Sequence, residues 1–183
     1  MPQLQLFEGR PVDETGRLPR EIRTYDYLDR LGIPFWRTDH DQVATMEDLY
    51  AADAILEVVL CKNLFLCNRQ KTDFYLLSMP ADKPFKTKEL SGQLGISRLS
   101  FAEPEDLLQY LDIEPGAVSV MGLMNDTGQS VRLLMDEDIR EDEFFGCHPC
   151  VTTSSMKMKM QDVLERFLPA TGHAPTWVKL IGA

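Results

Sequence analysis

Two apolar stretches, "EVVLCKNLFLCN" (residues 57–68) and "TDFYLLSMP" (residues 72–80), flank Arg69-Gln70-Lys71. Both are rich in the β-branched, aromatic and aliphatic residues that suit a half-buried pleated surface, and the polar residues between them suit a tight turn, so the pair predicts a β-hairpin. A strand pair joined this way argues for an antiparallel or mixed sheet, with the rest of the chain packed on it as an α+β domain.

The other segments fit that expectation. Ile22, Tyr25, Leu28 and Leu31 recur at helical spacing, and Gly32 closes the helix. Residues 34–40 read as a short strand. Residues 45–56 read as a second helix, with Thr45 as N-cap and Asp48 three positions on. A short helix over 87–95 and a strand over 98–102 precede a helix over 104–113, which starts at Pro104 and places Leu107, Leu108 and Leu111 on one face. "GAVSVMGLM" (116–124) and "SVRLLMDEDI" (130–139) read as strands around the turn "NDTGQ". "CVTTSSMKM" (150–158) reads as an exposed strand, residues 160–172 as the last helix and 176–180 as the last strand. Neither regular βαβ alternation nor a G-x-G-x-x-G motif is present, which excludes the usual dinucleotide fold.

The 183 residues suit one domain spanning 1–183, with the polar, turn-rich residues 1–18 as a loosely packed arm. No apolar run approaches ~18 residues, so no membrane span is expected. The N-terminus lacks a basic stretch followed by an apolar one, so a cytosolic location with reduced cysteines is expected. The net charge of −10 argues against a protein that coats nucleic acid non-specifically. It leaves room for a local basic patch, for which Lys83, Lys86, Lys88, Lys157 and Lys159 are the candidates.

Cys147-His148-Pro149-Cys150 raises the question of a metal or redox centre. A zinc site would need Cys61 and Cys67 as the second pair. On an extended strand the six intervening steps hold those thiols about 20 Å apart, too far to share one ion. A redox C-x-x-C sits at a helix N-terminus, which lowers a thiol pKa, whereas here the β-branched "VTTSS" follows. Neither a metal nor a cofactor is expected. His148 is then either an ordinary turn residue or a functional imidazole. Lys62 poses a similar choice. Strand alternation sets it with Leu64 and Leu66, opposite Cys61, Asn63, Phe65 and Cys67. It is either a strand-end lysine reaching for solvent or a cation held in a pocket.

"CKNLFLCNRQKTDFYLL", residues 94–126 and "FFGCHPCVTTSSMKMKMQDVLERFL", taken together, resemble the YbaK/prolyl-tRNA synthetase-associated editing domain, and within it the free-standing ProX/PrdX-like branch. The resemblance runs from about Arg20 to the C-terminus. It implies a mixed α/β domain with a curved, barrel-like sheet. The implied activity is hydrolysis of the ester in mischarged aminoacyl-tRNA, alanine on tRNA for proline above all, with tRNA as partner. By the same resemblance Lys62 holds the terminal adenosine or its phosphate, His148 stands at the rim of the aminoacyl pocket, and Gly116 begins a G-x-x-x-P loop that positions the ester. His40 and Thr45 match the family's E-H-x-x-x-x-T-x-E-E segment. Asn63, Ala117, Val118, Ser119, Asn125 and Asp126 fall in matching elements and are the further candidates for substrate binding. Two positions depart from the pattern: Val120 stands for the loop proline, and Cys150 for the asparagine of an H-P-N element. A binding module of this fold without hydrolysis, and a thiol redox protein using Cys147 and Cys150, are the competing readings.

Overall fold

The computed structural model describes residues 3–42 and 46–182. The chain folds into two sheets and surrounding helices, an α+β arrangement. One sheet is antiparallel throughout, in the order β1 (Phe7–Glu8), β2 (Phe35–Asp39), β8 (Ser154–Lys159), β7 (Phe144–Cys147). The other is mixed, in the order β5 (Ser100–Phe101), β3 (Lys62–Cys67), β4 (Phe74–Met79), β6 (Val131–Asp136), β9 (Thr176–Val178). The expected hairpin is its centre: β3 and β4 pair antiparallel from Lys62↔Met79 to Cys67↔Phe74. Beyond it β4, β6 and β9 run parallel.

An isolated parallel bridge, Leu60↔Gly146, connects the two sheets into a curved, barrel-like wall. Gly146 suits this junction because a Cβ there would lie 3.0 Å from Val58 Cγ1 and 3.2 Å from Leu60 Cα. Phe35, Phe65, Phe74, Phe145, Met156 and Met158 fill the interior of the wall. Helix α1 (Pro19–Arg30) adds Tyr25 and Leu28 to that core, and α4 (Pro104–Leu111) adds Leu107 and Leu111. A second core lies on the other face of the mixed sheet, where Leu66, Leu77 and Leu134 meet Leu90 of α3 (Thr87–Leu94). Strand alternation therefore sends Phe65 and Cys67 into one core and Leu66 into the other. The α2 helix (Met46–Leu56) follows residues outside the described set, among them Thr45 with its expected cap. Near the C-terminus α5 (Met160–Asp162) passes through a π turn, Val163–Phe167, into α6 (Leu168–Thr171).

Four expectations change. Residues 120–125 form a 3₁₀ helix, not a strand: Ser119 Oγ accepts from Met121 N–H and starts the turn. The run reads as a strand because Val120 through Met124 are all buried, which removes any helical alternation. β8 lies between β2 and β7 instead of being exposed, and it can bury Ser154 and Ser155 because their hydroxyls have partners. Leu108 points to solvent at 48% exposure while Leu107 and Leu111 are buried. The supposed arm is tied down: β1 pairs with β2, Arg10 bridges to Glu14, Asp26 and Asp29, and Arg17 bridges to Glu21 and Asp39.

Candidate functional site

β2 and β8 run side by side, and their paired ends, Asp39↔Ser154, place two histidines together. His40 follows β2 directly, and its backbone N–H donates to the Thr153 carbonyl at 3.0 Å. His148 follows β7. The two rings lie edge to face with centroids 6.5 Å apart. Backbone carbonyls can only accept, and this fixes the tautomers. His148 Nδ1–H donates to the Ser154 carbonyl at 2.9 Å, and His40 Nδ1–H donates to the Asp41 carbonyl at 2.8 Å. The Ser155 hydroxyl donates to His40 Nε2 at 2.8 Å and lies 3.4 Å from His148 Nδ1. Among the described residues nothing hydrogen-bonds His148 Nε2. Burial pushes the His148 pKa below its ordinary 6.5; the Ser154 carbonyl opposes the shift and His40 adds to it. His148 is therefore neutral at neutral pH.

A charged network lies behind the pair. Asp39 accepts from Ser154 Oγ and from Arg37, and pairs with Arg17 at 2.8 Å. Arg17 also bridges to Glu21 at 2.5 Å, and Glu21 accepts from the Tyr25 hydroxyl at 2.6 Å. Burial works against the Asp39 charge, but Arg17, Ser154 and Arg37 win and lower its pKa to about 2. These residues fix the ends of β2 and β8, and with them the two imidazoles. Sequence reasoning missed Ser155 and this network. Their one visible trace is Arg37 and Asp39, two charges at i, i+2 on one face of a short strand.

The loop from Gly116 borders the same segment. Gly116 has φ +95°, a left-handed conformation natural to glycine, and a Cβ there would contact Thr152 Cγ2 at 3.4 Å. Ala117 N–H is spent on the Glu114 carbonyl. Among the described residues the N–H groups of Gly116 and Val118 have no backbone acceptor. Ala117 and Ser119 are buried, and Ser119 is the cap of the 3₁₀ helix. Asn125 ties Arg23 to the Leu111 carbonyl. Asp126 is 4% exposed and accepts from Ser130 N–H, Val131 N–H and His173 Nε2. The structure therefore uses Asn125 and Asp126 as internal braces and brings neither to the histidine pair.

Lys62 and Asn63 stand at the start of β3. From the Leu60↔Gly146 bridge the two chains run in the same direction, with Lys62 and His148 each two residues beyond it. The Lys62 ammonium donates to the Lys83 carbonyl and lines a groove of about 460 Å³ with Phe85, Lys86, Lys88 and Phe101. Asn63 Nδ2 donates to the Cys61 carbonyl, and among the described residues its buried Oδ1 has no partner. Cys61, on the opposite face, lines a larger cavity of about 930 Å³ that includes Asp53, Asp82, Asp138 and Asp142. Burial raises the pKa values of Asp53 and Asp142. The Lys62 groove is lined by lysines and the Cys61 cavity by carboxylates, so the two sides differ in the sign of their charge. Two of the expected basic residues are otherwise engaged. Lys83 is held by Asp136 and Asp138 at 2.7 and 2.6 Å, and Lys157 sits 4.5 Å above the Phe144 ring.

The cysteines are all free thiols. Burial raises Cys61 and Cys150 to about 12 and Cys147 further still, the opposite of an activated thiolate. This weighs against the redox reading. Cys150 is left-handed, with φ 63°, a conformation that asparagine tolerates better than other non-glycine residues. Among the described residues no group of three or more His, Cys, Asp or Glu side chains is arranged to hold a metal ion.

Residues 40–166 match the model of the aminoacyl-tRNA editing domain. Prolyl-tRNA synthetase associated domain-containing protein 1 of Danio rerio is 33% identical over 167 residues, 90% of this chain and 86% of the relative. Prolyl-tRNA editing protein ProX of Acetoanaerobium sticklandii is 30% identical over 146 residues, 80% of this chain and 88% of the relative. A crystal structure described as a candidate trans-editing enzyme for prolyl tRNA synthetase superimposes with a TM-score of 0.65 at 14% identity, over 89% of this chain and 98% of that one, and shares the fold. The segment that carries both histidines, the Lys62 strand and the Gly116 loop is the segment the family model covers, and the chain belongs to the aminoacyl-tRNA editing domain family.

Proposed function

We propose that this protein is a trans-editing deacylase that hydrolyses the ester of mischarged aminoacyl-tRNA, with alanine on tRNA for proline as its substrate. The observation that carries the reading is the neutral His148. Its Nδ1–H is tied to the Ser154 carbonyl, which leaves Nε2 as a base for one water. That water loses a proton to Nε2 as its oxygen attacks the ester carbonyl. The tetrahedral oxyanion takes hydrogen bonds from the N–H groups of Gly116 and Val118. Collapse breaks the bond to the ribose oxygen, which takes the proton back from His148 and leaves as the hydroxyl. Free amino acid and uncharged tRNA are the products.

Lys62 serves the other end of the substrate as a cation for the terminal phosphate and ribose. His40 positions the His148 region, and Asn63 offers its Oδ1 as an acceptor. Selection against proline is steric, because a difference of one or two methylenes alone is worth only ~1–3 kcal/mol. The relatives' prolyl names support the choice of tRNA.

A panel of tRNAs, each carrying a labelled wrong amino acid, tests the proposal. Alanine should be released from tRNA for proline faster than proline is. If no member of the panel loses its amino acid to purified protein, the hydrolytic reading fails and a binding module remains.

A further inference from the structure

The groove beside Lys62 has a composition that holding one ammonium does not require. Phe101 lies on the edge strand β5 and is 59% exposed. Phe85 meets it edge to face, with ring centroids 6.1 Å apart. Lys86 and Lys88 are exposed at the first turn of α3 and border the same groove. Among the described residues neither forms an ion pair, and no carboxylate lines the groove. In a chain of net charge −10 this is a local cationic surface with an exposed aromatic floor.

An exposed Phe101, with the half-buried Phe85 edge to face beside it and lysines nearby, matches what unpaired nucleotides need. Bases of any identity stack on the rings, and phosphates meet the ammonium groups. The groove volume of about 460 Å³ falls in the ordinary range for a small-ligand site. Its sign excludes cationic partners and favours a polyanion. Lys62, proposed above as the cation for the terminal phosphate, lines the same groove.

We propose that Phe85, Phe101, Lys86 and Lys88 form a docking site for the unpaired nucleotides that precede the ester at the 3′ end of the RNA. The inference rests on the deacylase reading only for which RNA end it names. Phe101 supplies the main stacking surface, and Lys86 and Lys88 contact successive phosphates.

The test uses the full chain and a fluorescent RNA hairpin with a four-nucleotide single-stranded 3′ end, measured against the same stem with a blunt end. Wild type should prefer the overhang. Phe101→Ala should weaken overhang binding about 5- to 150-fold, toward the blunt-end value, and Phe101→Trp should restore it. Lys86→Ala with Lys88→Ala should lower the slope of log affinity against log salt by about 1.4, two single-strand phosphate contacts. The three substituted positions, Phe101, Lys86 and Lys88, are exposed, so unchanged thermal midpoints will show that the fold is intact. If overhang and blunt stem bind alike, or if the Phe101 and lysine variants bind like wild type, the docking site is overturned even where deacylation proceeds. If an acidic peptide displaces the RNA and its own binding, but not that of RNA, depends on Phe101, the groove is a protein site and the proposal fails. If the overhang binds as described but no mischarged tRNA is hydrolysed, the docking site stands and the deacylase reading falls.

Discussion

The histidine pair and the lysine groove are built in opposite ways. His40 and His148 stand on strand ends locked by Asp39, Arg17, Arg37, Ser154 and Ser155, most of them buried. Lys86, Lys88 and Phe101 stand on short elements at the surface with few partners. Bond-making chemistry needs reacting atoms held in place, and a buried network removes the freedom to move. Docking a flexible RNA end needs charge and flat surfaces, which tolerate motion. The difference implies that substitutions in the first region act on kcat and those in the second on KM.

The largest effect is expected at His148. His148→Ala should reduce kcat for deacylation by about 10²–10⁴-fold with little change in KM, read from single-turnover release of labelled amino acid. A rise in KM with kcat preserved would move His148 to the docking side and erase the contrast.

The pH profile sharpens it. The base form of His148 is the active one, and burial holds its pKa below 6.5. Deacylation should be flat around neutrality and fall about tenfold per unit once the pH drops below that lowered value. Stability moves in the same direction: the unfolded chain takes up the proton from 6.5 downward, the folded chain only at lower pH, so the contribution is full above 6.5 and is lost on acidification. Following the thermal midpoint in parallel separates the two. An activity that rises on acidification would show that the protonated ring is the working form.

Ser155→Ala is expected to cost less, about tenfold in kcat, because it removes only the hydroxyl that donates to His40 Nε2. A purely structural role would lower the thermal midpoint and leave the pH profile alone. A positioning role shifts the profile, and Ser155→Thr should restore it.

How much of this was legible in the sequence depended on what each side chain does. The hairpin and α1 were legible because their apolar residues alternate or recur with one face buried. The 3₁₀ helix was not, since Val120 to Met124 are buried on every side and carry no period. β8 was misread for a related reason. Ser154 and Ser155 look like surface residues until their acceptors, Asp39 and His40, arrive from a strand 115 residues away in sequence. The candidate site divided along the same line. Lys62 was conspicuous because it breaks an apolar face, and Gly116 and His148 stood out within the family pattern. Ser155 was invisible because its role exists only once β2 and β8 are paired. Asp126 shows the converse: a matching position whose carboxylate the fold itself consumes.

The smallest effect is expected at Val120, which stands for the proline of the G-x-x-x-P loop that the sequence resembles. Val120 is the first residue of the 3₁₀ helix, where a missing N–H costs little and the helical φ is the one proline prefers. The residue before a proline must be extended, and Ser119 already is, at φ −152° and ψ 146°. Val120→Pro should therefore fold normally. Proline restricts the unfolded chain, worth about 0.4–1 kcal/mol, and the partial loss of buried valine packing works against it. The net change should stay within about 2 °C of thermal midpoint. Any change in activity should then appear as a shift in which amino acid is released, since the loop backbone from Gly116 to Val118 faces the ester in the proposed mechanism. A collapse of the fold would show instead that Val120 is held by its neighbours in a backbone geometry the proline ring cannot adopt.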